Sequence, residues 1–110
     1  MNKKVKTIDE LLCISEQELL ERFNEEVLGE GMEAFPRRPK ELRAEFYAWV
    51  EVKREVVCRS KAVIDAEKHR DRTLVVAAVA DALGGSGFIT AAVLMVRMGL
   101  NDFCRNIWGP

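Results

Sequence analysis

Apolar and polar positions follow a helical period along most of the chain. Two capping patterns, each a hydroxyl residue followed three positions later by a glutamate, begin at Thr7 and Ser15. They predict a short turn of helix over 8–13 and a longer helix over 16–28. The longer helix would bury an apolar stripe and turn its glutamates toward water.

The middle of the chain has neither glycine nor proline between Pro39 and Arg72, and its composition is strongly helical. Apolar pairs recur every seven residues along it, at Trp49-Val50, Val56-Val57 and Val63-Ile64. This spacing keeps one edge of a helix apolar. We therefore predict one long helix over about 40–72, which Pro39 is well placed to begin because proline is favoured at a first helical position.

The final third is the most apolar part, and within residues 74–95 the only formal charge is Asp81. A GGSG tetrapeptide at 84–87 divides this stretch, and glycine disfavours a continuous helix. The pattern predicts a central apolar helical hairpin over about 73–100. Together these elements predict an all-α fold, a four- to five-helix bundle.

We expect one all-helical domain over 1–110, and the pattern leaves open whether residues 1–14 are loosely ordered. Residues 74–96 are also long enough to span a membrane. However, Asp81 near the centre would cost about 2–3 kcal/mol, against about 0.3–0.6 kcal/mol gained for each large apolar side chain. A hairpin buried by protein is therefore favoured, and a membrane-associated protein with residues 74–96 in the bilayer is the alternative.

The charges are unevenly distributed although they nearly cancel, with a formal net charge of −1. The first third is acidic, the middle is basic, and the final third carries only Asp81, Arg97, Asp102 and Arg105. A chain with this balance has no general attraction to nucleic acid or to anionic lipid.

Three cysteines, Cys13, Cys58 and Cys104, are an odd number without a C-x-x-C pair, and the N-terminal residues lack the apolar core of a signal peptide. We therefore expect a reducing, cytoplasmic compartment. In that setting all three thiols would act as small buried apolar groups.

One compact basic patch stands out, formed by Arg37, Arg38, Lys40 and Arg43. Four bases beside aromatic residues can hold phosphates or an acidic protein surface. Glutamates dilute the patch, so an exposed loop is the simplest interpretation. If the patch binds a partner, an acidic protein surface is favoured over nucleic acid, either within the same chain or on a second subunit.

No catalytic, cofactor or metal site is predicted. His69 is the sole histidine, and it has Asp65 four residues before it but no visible third ligand. Cys58 lies three helical turns before His69, about 16 Å away on a continuous helix, which is too far for the base to activate the thiol. The GGSG tetrapeptide lacks the following lysine that a phosphate loop requires.

The function predicted from these features is a non-enzymatic helical interaction or assembly module, self-associating or a small subunit of a larger complex. The amphipathic helices offer little cover for so apolar a hairpin, and association would complete its burial. The predicted interaction face consists of Leu42, Phe46, Trp49, Val56 and Val63, which could instead be plain core. Besides the membrane alternative, a weak nucleic-acid-binding or regulatory protein acting through the 37–43 patch is a second alternative.

Overall fold

The computed structural model describes residues 8–27 and 39–109. Within these ranges it contains six α-helices and no strand: α1 (Ile8–Leu12), α2 (Glu16–Glu26), α3 (Pro39–Cys58), α4 (Lys61–His69), α5 (Arg72–Leu83) and α6 (Ile89–Trp108). A 3₁₀ turn, Ser86–Phe88, joins α5 to α6. The all-α prediction is confirmed, although the helices are more numerous than the four or five expected.

The start of α2 follows its predicted capping residue, whereas Thr7, the predicted cap of α1, lies outside the described residues. Ser15 has an extended backbone, and its hydroxyl accepts a hydrogen bond from the amide of Glu18 at 3.2 Å. This bond satisfies one of the amides that a helix start leaves unpaired. The helix α2 ends at Glu26, and residue 28, the predicted end, lies outside the described residues.

The prediction of a single long helix over 40–72 is wrong, because the helix is interrupted at Ser60. That residue has φ −68° and ψ 123°, and its hydroxyl accepts a hydrogen bond from the amide of Val63 at 3.3 Å. An N-cap in this conformation starts a new helix rather than continuing the old one. As a result, α3 packs mainly against α2 and α6, whereas α4 packs mainly against α5.

A second break follows at Arg70 and Asp71. Arg70 ends α4 with a left-handed backbone, φ 58°. Asp71 then caps α5, because its carboxylate accepts hydrogen bonds from the amides of Thr73 at 3.0 Å and Leu74 at 3.4 Å. The predicted long helix is therefore two helices, and its last residue, Arg72, belongs to α5.

The apolar final third folds back on itself at the GGSG tetrapeptide. Gly84 and Gly85 have φ of 138° and 122°, values that side-chain-bearing residues rarely adopt. The helices α5 and α6 make the most extensive contact of any pair in the described chain. All five residues of 91–95 are buried, which makes α6 the central helix of the bundle.

The hairpin runs further than predicted, because α6 continues to Trp108. Gly99, with φ 113° and ψ 88°, bends it in the middle. The bend redirects the last two turns of α6 toward the end of α3, where Cys104 meets Cys58.

The described residues include one stretch long and apolar enough to cross a membrane, Ser86–Trp108, with a mean hydropathy of 1.3. Of its most apolar window, 44% is buried within the protein. A core helix meets the same criteria of length and composition. Of the nearby charged groups, Asp81 is exposed, and the Arg97 guanidinium donates to the backbone carbonyl of Ile14.

An aromatic cluster ties α2 and α3 to the hairpin turn. The ring of Phe23 lies 5.0 Å from the rings of both Phe46 and Trp49, in edge-to-face contacts. Trp49 in turn stacks on Phe88 at 6.1 Å. Such pairs add about 0.5–1.5 kcal/mol each beyond the burial of their area. The cluster therefore holds the 3₁₀ turn against the amphipathic helices.

The prediction for the cysteines is wrong in two respects. Cys58 and Cys104 form a disulfide across 46 residues, and Cys13 is exposed rather than buried. Sequence spacing could not show the pairing, because it depends on the bend of α6. The expectation of a reducing, cytoplasmic compartment rests partly on unpaired thiols. It stays a prediction, and the disulfide removes that part of its support.

The turn glycines provide a test of the hairpin. A Cβ on Gly84 would lie 2.8 Å from Cε2 of Phe88 in a backbone conformation that alanine rarely adopts, whereas a Cβ on Gly87 would meet nothing within 4 Å. We expect Gly84→Ala to lower the free energy of unfolding by about 1–3 kcal/mol. The matched Gly87→Ala variant should change it by less than about 1 kcal/mol. Urea unfolding followed by circular dichroism measures both, and equal effects would contradict the described turn.

Candidate interaction surfaces

The structure distributes the predicted interaction face between the core and the surface. Leu42, Phe46 and Val63 are buried, and Trp49 is half-buried within the aromatic cluster. Only Val56 is open to solvent, with 53% of its surface exposed. These five residues therefore do not form one surface. All of them except Val56 belong to the core or pack against it.

The basic patch is only partly within the described residues, because Arg37 and Arg38 lie outside them. Lys40 and Arg43 are both exposed at the start of α3. The Arg43 guanidinium donates to the carboxylate of Glu16 at the start of α2. Arg43 thus has an acidic partner within its own chain, one of the two possibilities that the sequence left open.

A different apolar line runs along the outer side of α3. It consists of Ala44, Ala48, Val52 and Val56, spaced four residues apart and all exposed, and we call it the α3 ridge. Val52 is 79% exposed, more than any other large apolar residue in the described chain. Residues four apart lie on one face of a helix, so these side chains form a continuous strip.

Glutamates flank the α3 ridge on both sides. They are Glu41 and Glu45 toward one side, and Glu51 and Glu55 toward the other. Two of them pair with arginines of the same helix: Glu51 with Arg54 at 2.7 Å and Glu55 with Arg59 at 3.9 Å. The exposed Lys40 continues the same four-residue spacing, so charges of both signs border the apolar strip.

A groove opens beside the C-terminal end of α3, between α4, the start of α5 and the last turns of α6. We call it the terminal groove, and its volume is about 1120 Å³. Its apolar lining includes Ile64, Val75, Val96, Leu100 and Ile107. This volume is slightly above the range of small-molecule sites, about 300–1,000 Å³, and the groove is open along its length.

Three features of the sequence shape the terminal groove. The Cys58–Cys104 disulfide fastens the end of α6 to the end of α3. The indole nitrogen of Trp108 donates to the carbonyl of Cys58 at 2.6 Å, which fixes the ring as one wall. Gly99 lines the groove and supplies the bend that brings these groups together. The groove is thus held by a covalent bond and a hydrogen bond at one corner.

The rim of the terminal groove is basic. Its charged lining comprises the bases Arg59, Lys68, Arg70 and Arg72, with the acids Glu67 and Asp102. The carboxylate of Asp102 already accepts a hydrogen bond from Arg105 at 3.2 Å. Positive charge therefore predominates around an apolar lining.

Sequence reasoning missed both surfaces, for different reasons. The α3 ridge was detectable, because its spacing of four is visible in the sequence, but the heptad pairs assigned Val56 to the same edge as Val57. In the structure Val57 is buried and Val56 is exposed. The terminal groove had no local signal, because its walls come from three helices and a disulfide.

Of the residues weighed for catalysis, Cys58 is bonded to Cys104 and lines the terminal groove, and His69 lies at the end of α4. The ring nitrogen Nδ1 of the exposed His69 lies 2.9 Å from the carbonyl oxygen of Asp65, a contact within one helical turn. Within residues 8–27 and 39–109, no group of three histidine, cysteine or acidic side chains could hold a metal ion. The glycines at 84–87 form a helix connection.

Comparison of the chain with protein-family models, with curated proteins and with solved structures finds no match.

The disulfide that shapes the terminal groove gives a test with an internal control. In the loop-entropy account, closing a loop of this length stabilises a protein by about 4 kcal/mol, and measured values are commonly about 2–4 kcal/mol. When no reductant is added, we expect Cys104→Ala to lower the free energy of unfolding by about 2–4 kcal/mol. Cys13→Ala, at an exposed position, should change it by less than about 0.5 kcal/mol. Equal denaturation midpoints for the two variants would contradict the pairing.

Proposed function

We propose that this protein is a non-enzymatic helical interaction module that associates with copies of itself. The observation that carries the proposal is the α3 ridge, four apolar side chains in a row on the outer face of a helix. Scattered apolar residues are normal on protein surfaces, but a contiguous strip with a polar border is typical of an interaction site. Helices commonly bind partners through such a strip, with contacts spaced by one turn.

Self-association is favoured because one chain carries both the α3 ridge and the terminal groove. Both surfaces are apolar at their centres. A second copy of the chain therefore offers apolar surfaces that can pack against those of the first.

The expected affinity is modest. Full burial of a valine side chain is worth roughly 1.5–3 kcal/mol, and the α3 ridge has two valines and two alanines. Association also costs roughly 4–15 kcal/mol in lost translational and rotational freedom, which these four side chains alone offset only in part. We therefore expect association that depends on protein concentration, with additional contacts from the charged borders.

Light scattering behind size-exclusion chromatography tests the proposal in buffer without detergent. The wild-type protein should show an average mass that rises above the 12.5 kDa of one chain as concentration increases. Val52→Arg places a charge in the centre of the α3 ridge and should return the mass to that of the monomer. The matched control is Ala77→Arg, on the exposed side of α5, which should associate like the wild type.

A wild-type protein that stays at the mass of one chain up to high-micromolar concentration would overturn the proposal. Recovery only in a membrane pellet, with release by detergent, would favour the membrane alternative instead. A salt-sensitive mobility shift with mixed DNA and RNA would favour the nucleic-acid alternative.

A further inference from the structure

We propose that the terminal groove binds a fatty acid, with the carboxylate at its basic rim and the alkyl chain on its apolar lining. The inference goes beyond the proposed self-association, because the α3 ridge contributes no residue to this lining. Small-molecule sites in proteins are concave and mostly apolar, with a few polar or charged groups that fix the orientation of the ligand. The terminal groove combines these features in one place.

The apolar lining of the terminal groove is continuous with the core. Val75 and Leu100 are each only 3% exposed, although both line the groove. Ile64, Val96 and Ile107 are half-buried and add apolar surface from α4 and from both halves of α6. An alkyl chain has no hydrogen-bonding group, and each methylene that it removes from water contributes to affinity. These five side chains can therefore hold the apolar part of a fatty acid.

Three bases of the rim have no partner in the described chain. The side chains of Lys68, Arg70 and Arg72 are exposed and make no hydrogen bond or ion pair with the described residues. Arg59, the fourth base of the lining, pairs with Glu55 at 3.9 Å. A guanidinium presents paired N–H donors that match the two oxygens of a carboxylate. The rim can therefore bind a carboxylate without breaking an internal ion pair.

The acids near the rim do not cancel this charge. Asp102 accepts a hydrogen bond from Arg105 at 3.2 Å. Asp71 lies outside the lining, and its carboxylate accepts hydrogen bonds from two backbone amides at the start of α5. Glu67 is the remaining acid of the lining. One carboxylate among three unpaired bases leaves a positive balance, which attracts an anion rather than a cation.

The combination of lining and rim distinguishes between classes of ligand. A neutral apolar molecule would leave the bases without a partner, and a small anion without an alkyl chain would leave the apolar lining in contact with water. A fatty acid carries one carboxylate at neutral pH at the end of an apolar chain, so it satisfies both parts of the groove.

One corner of the terminal groove is fixed without a ligand. The disulfide joins Cys58 to Cys104, and the indole nitrogen of Trp108 donates to the carbonyl of Cys58 at 2.6 Å. A wall that is already in place loses little conformational freedom when a ligand binds, which favours affinity. We therefore expect binding to the folded chain with its disulfide intact.

Isothermal titration calorimetry with three soluble probes tests the proposal on the full chain, without reductant and below the concentrations at which the probes form micelles. Dodecanoate should bind once per chain, with a dissociation constant below about 100 µM. Dodecyltrimethylammonium, which has the same alkyl chain and the opposite charge, should bind at least about tenfold more weakly. Butanoate keeps the carboxylate and loses most of the chain, and it should also bind at least about tenfold more weakly.

Two double variants of equal charge change locate the site. Lys68→Gln/Arg72→Gln removes two unpaired bases of the rim and should weaken dodecanoate binding at least about tenfold, because charge-assisted hydrogen bonds are lost. Lys40→Gln/Lys61→Gln removes two exposed bases outside the lining and should change the affinity by less than about twofold. Circular dichroism verifies that both variants keep the helical content of the wild type.

Three results would overturn the fatty-acid site. They are the absence of heat from dodecanoate, equal affinities for dodecanoate and dodecyltrimethylammonium, and equal weakening by the two double variants. Val52→Arg distinguishes these failures from a failure of the proposed function, because it changes the α3 ridge and leaves the groove intact. It should bind dodecanoate as the wild type does, and its loss of binding would place the ligand on the ridge instead. A wild type that binds dodecanoate and stays a monomer would refute self-association alone.

Discussion

The final third of the chain is apolar on nearly every side, and the rest of the fold is arranged to cover it. The reversal of the chain at Gly84 and Gly85 makes this cover possible. It places α5 and α6 against each other, so that the amphipathic helices can pack on their outer sides. The helices α2 and α3 then cover α6 through their aromatic side chains, while α4 covers α5. A continuous helix through the same residues would have left most of this surface in contact with solvent.

Much of the helical order could be predicted because its signals are local. The hydroxyl of Ser15 and the glycines at 84–87 act on their own neighbours, so their effect is visible in a few letters of sequence. Ser60 acts in the same way, but it sits within a long run of strong helix formers, and no glutamate occupies the third position after it to complete a capping box. The helix end at Arg70 is harder still to predict, because an arginine in a sequence does not indicate a left-handed backbone.

The surfaces could be predicted less well than the fold, and the reason is physical. Burial is decided by which side of a helix meets another helix, and this differs between adjacent residues such as Val56 and Val57. The bases around the terminal groove lie within 59–72, whereas part of its apolar lining comes from α6, much later in the chain. The pairing of Cys58 with Cys104 depends on the bend of α6 at Gly99, so spacing along the chain could not reveal it.

The interruption at Ser60 also has a mechanical meaning. A single rod from Pro39 to Arg72 would have transmitted force rigidly from the outer face of α3 to the walls formed by α4. Two helices joined by Arg59 and Ser60 replace that rod, and the Cys58–Cys104 disulfide beside the joint anchors the end of α3 to the last turns of α6. A load applied to α3 would therefore pass into α6 across a covalent bond rather than along a continuous helix into α4.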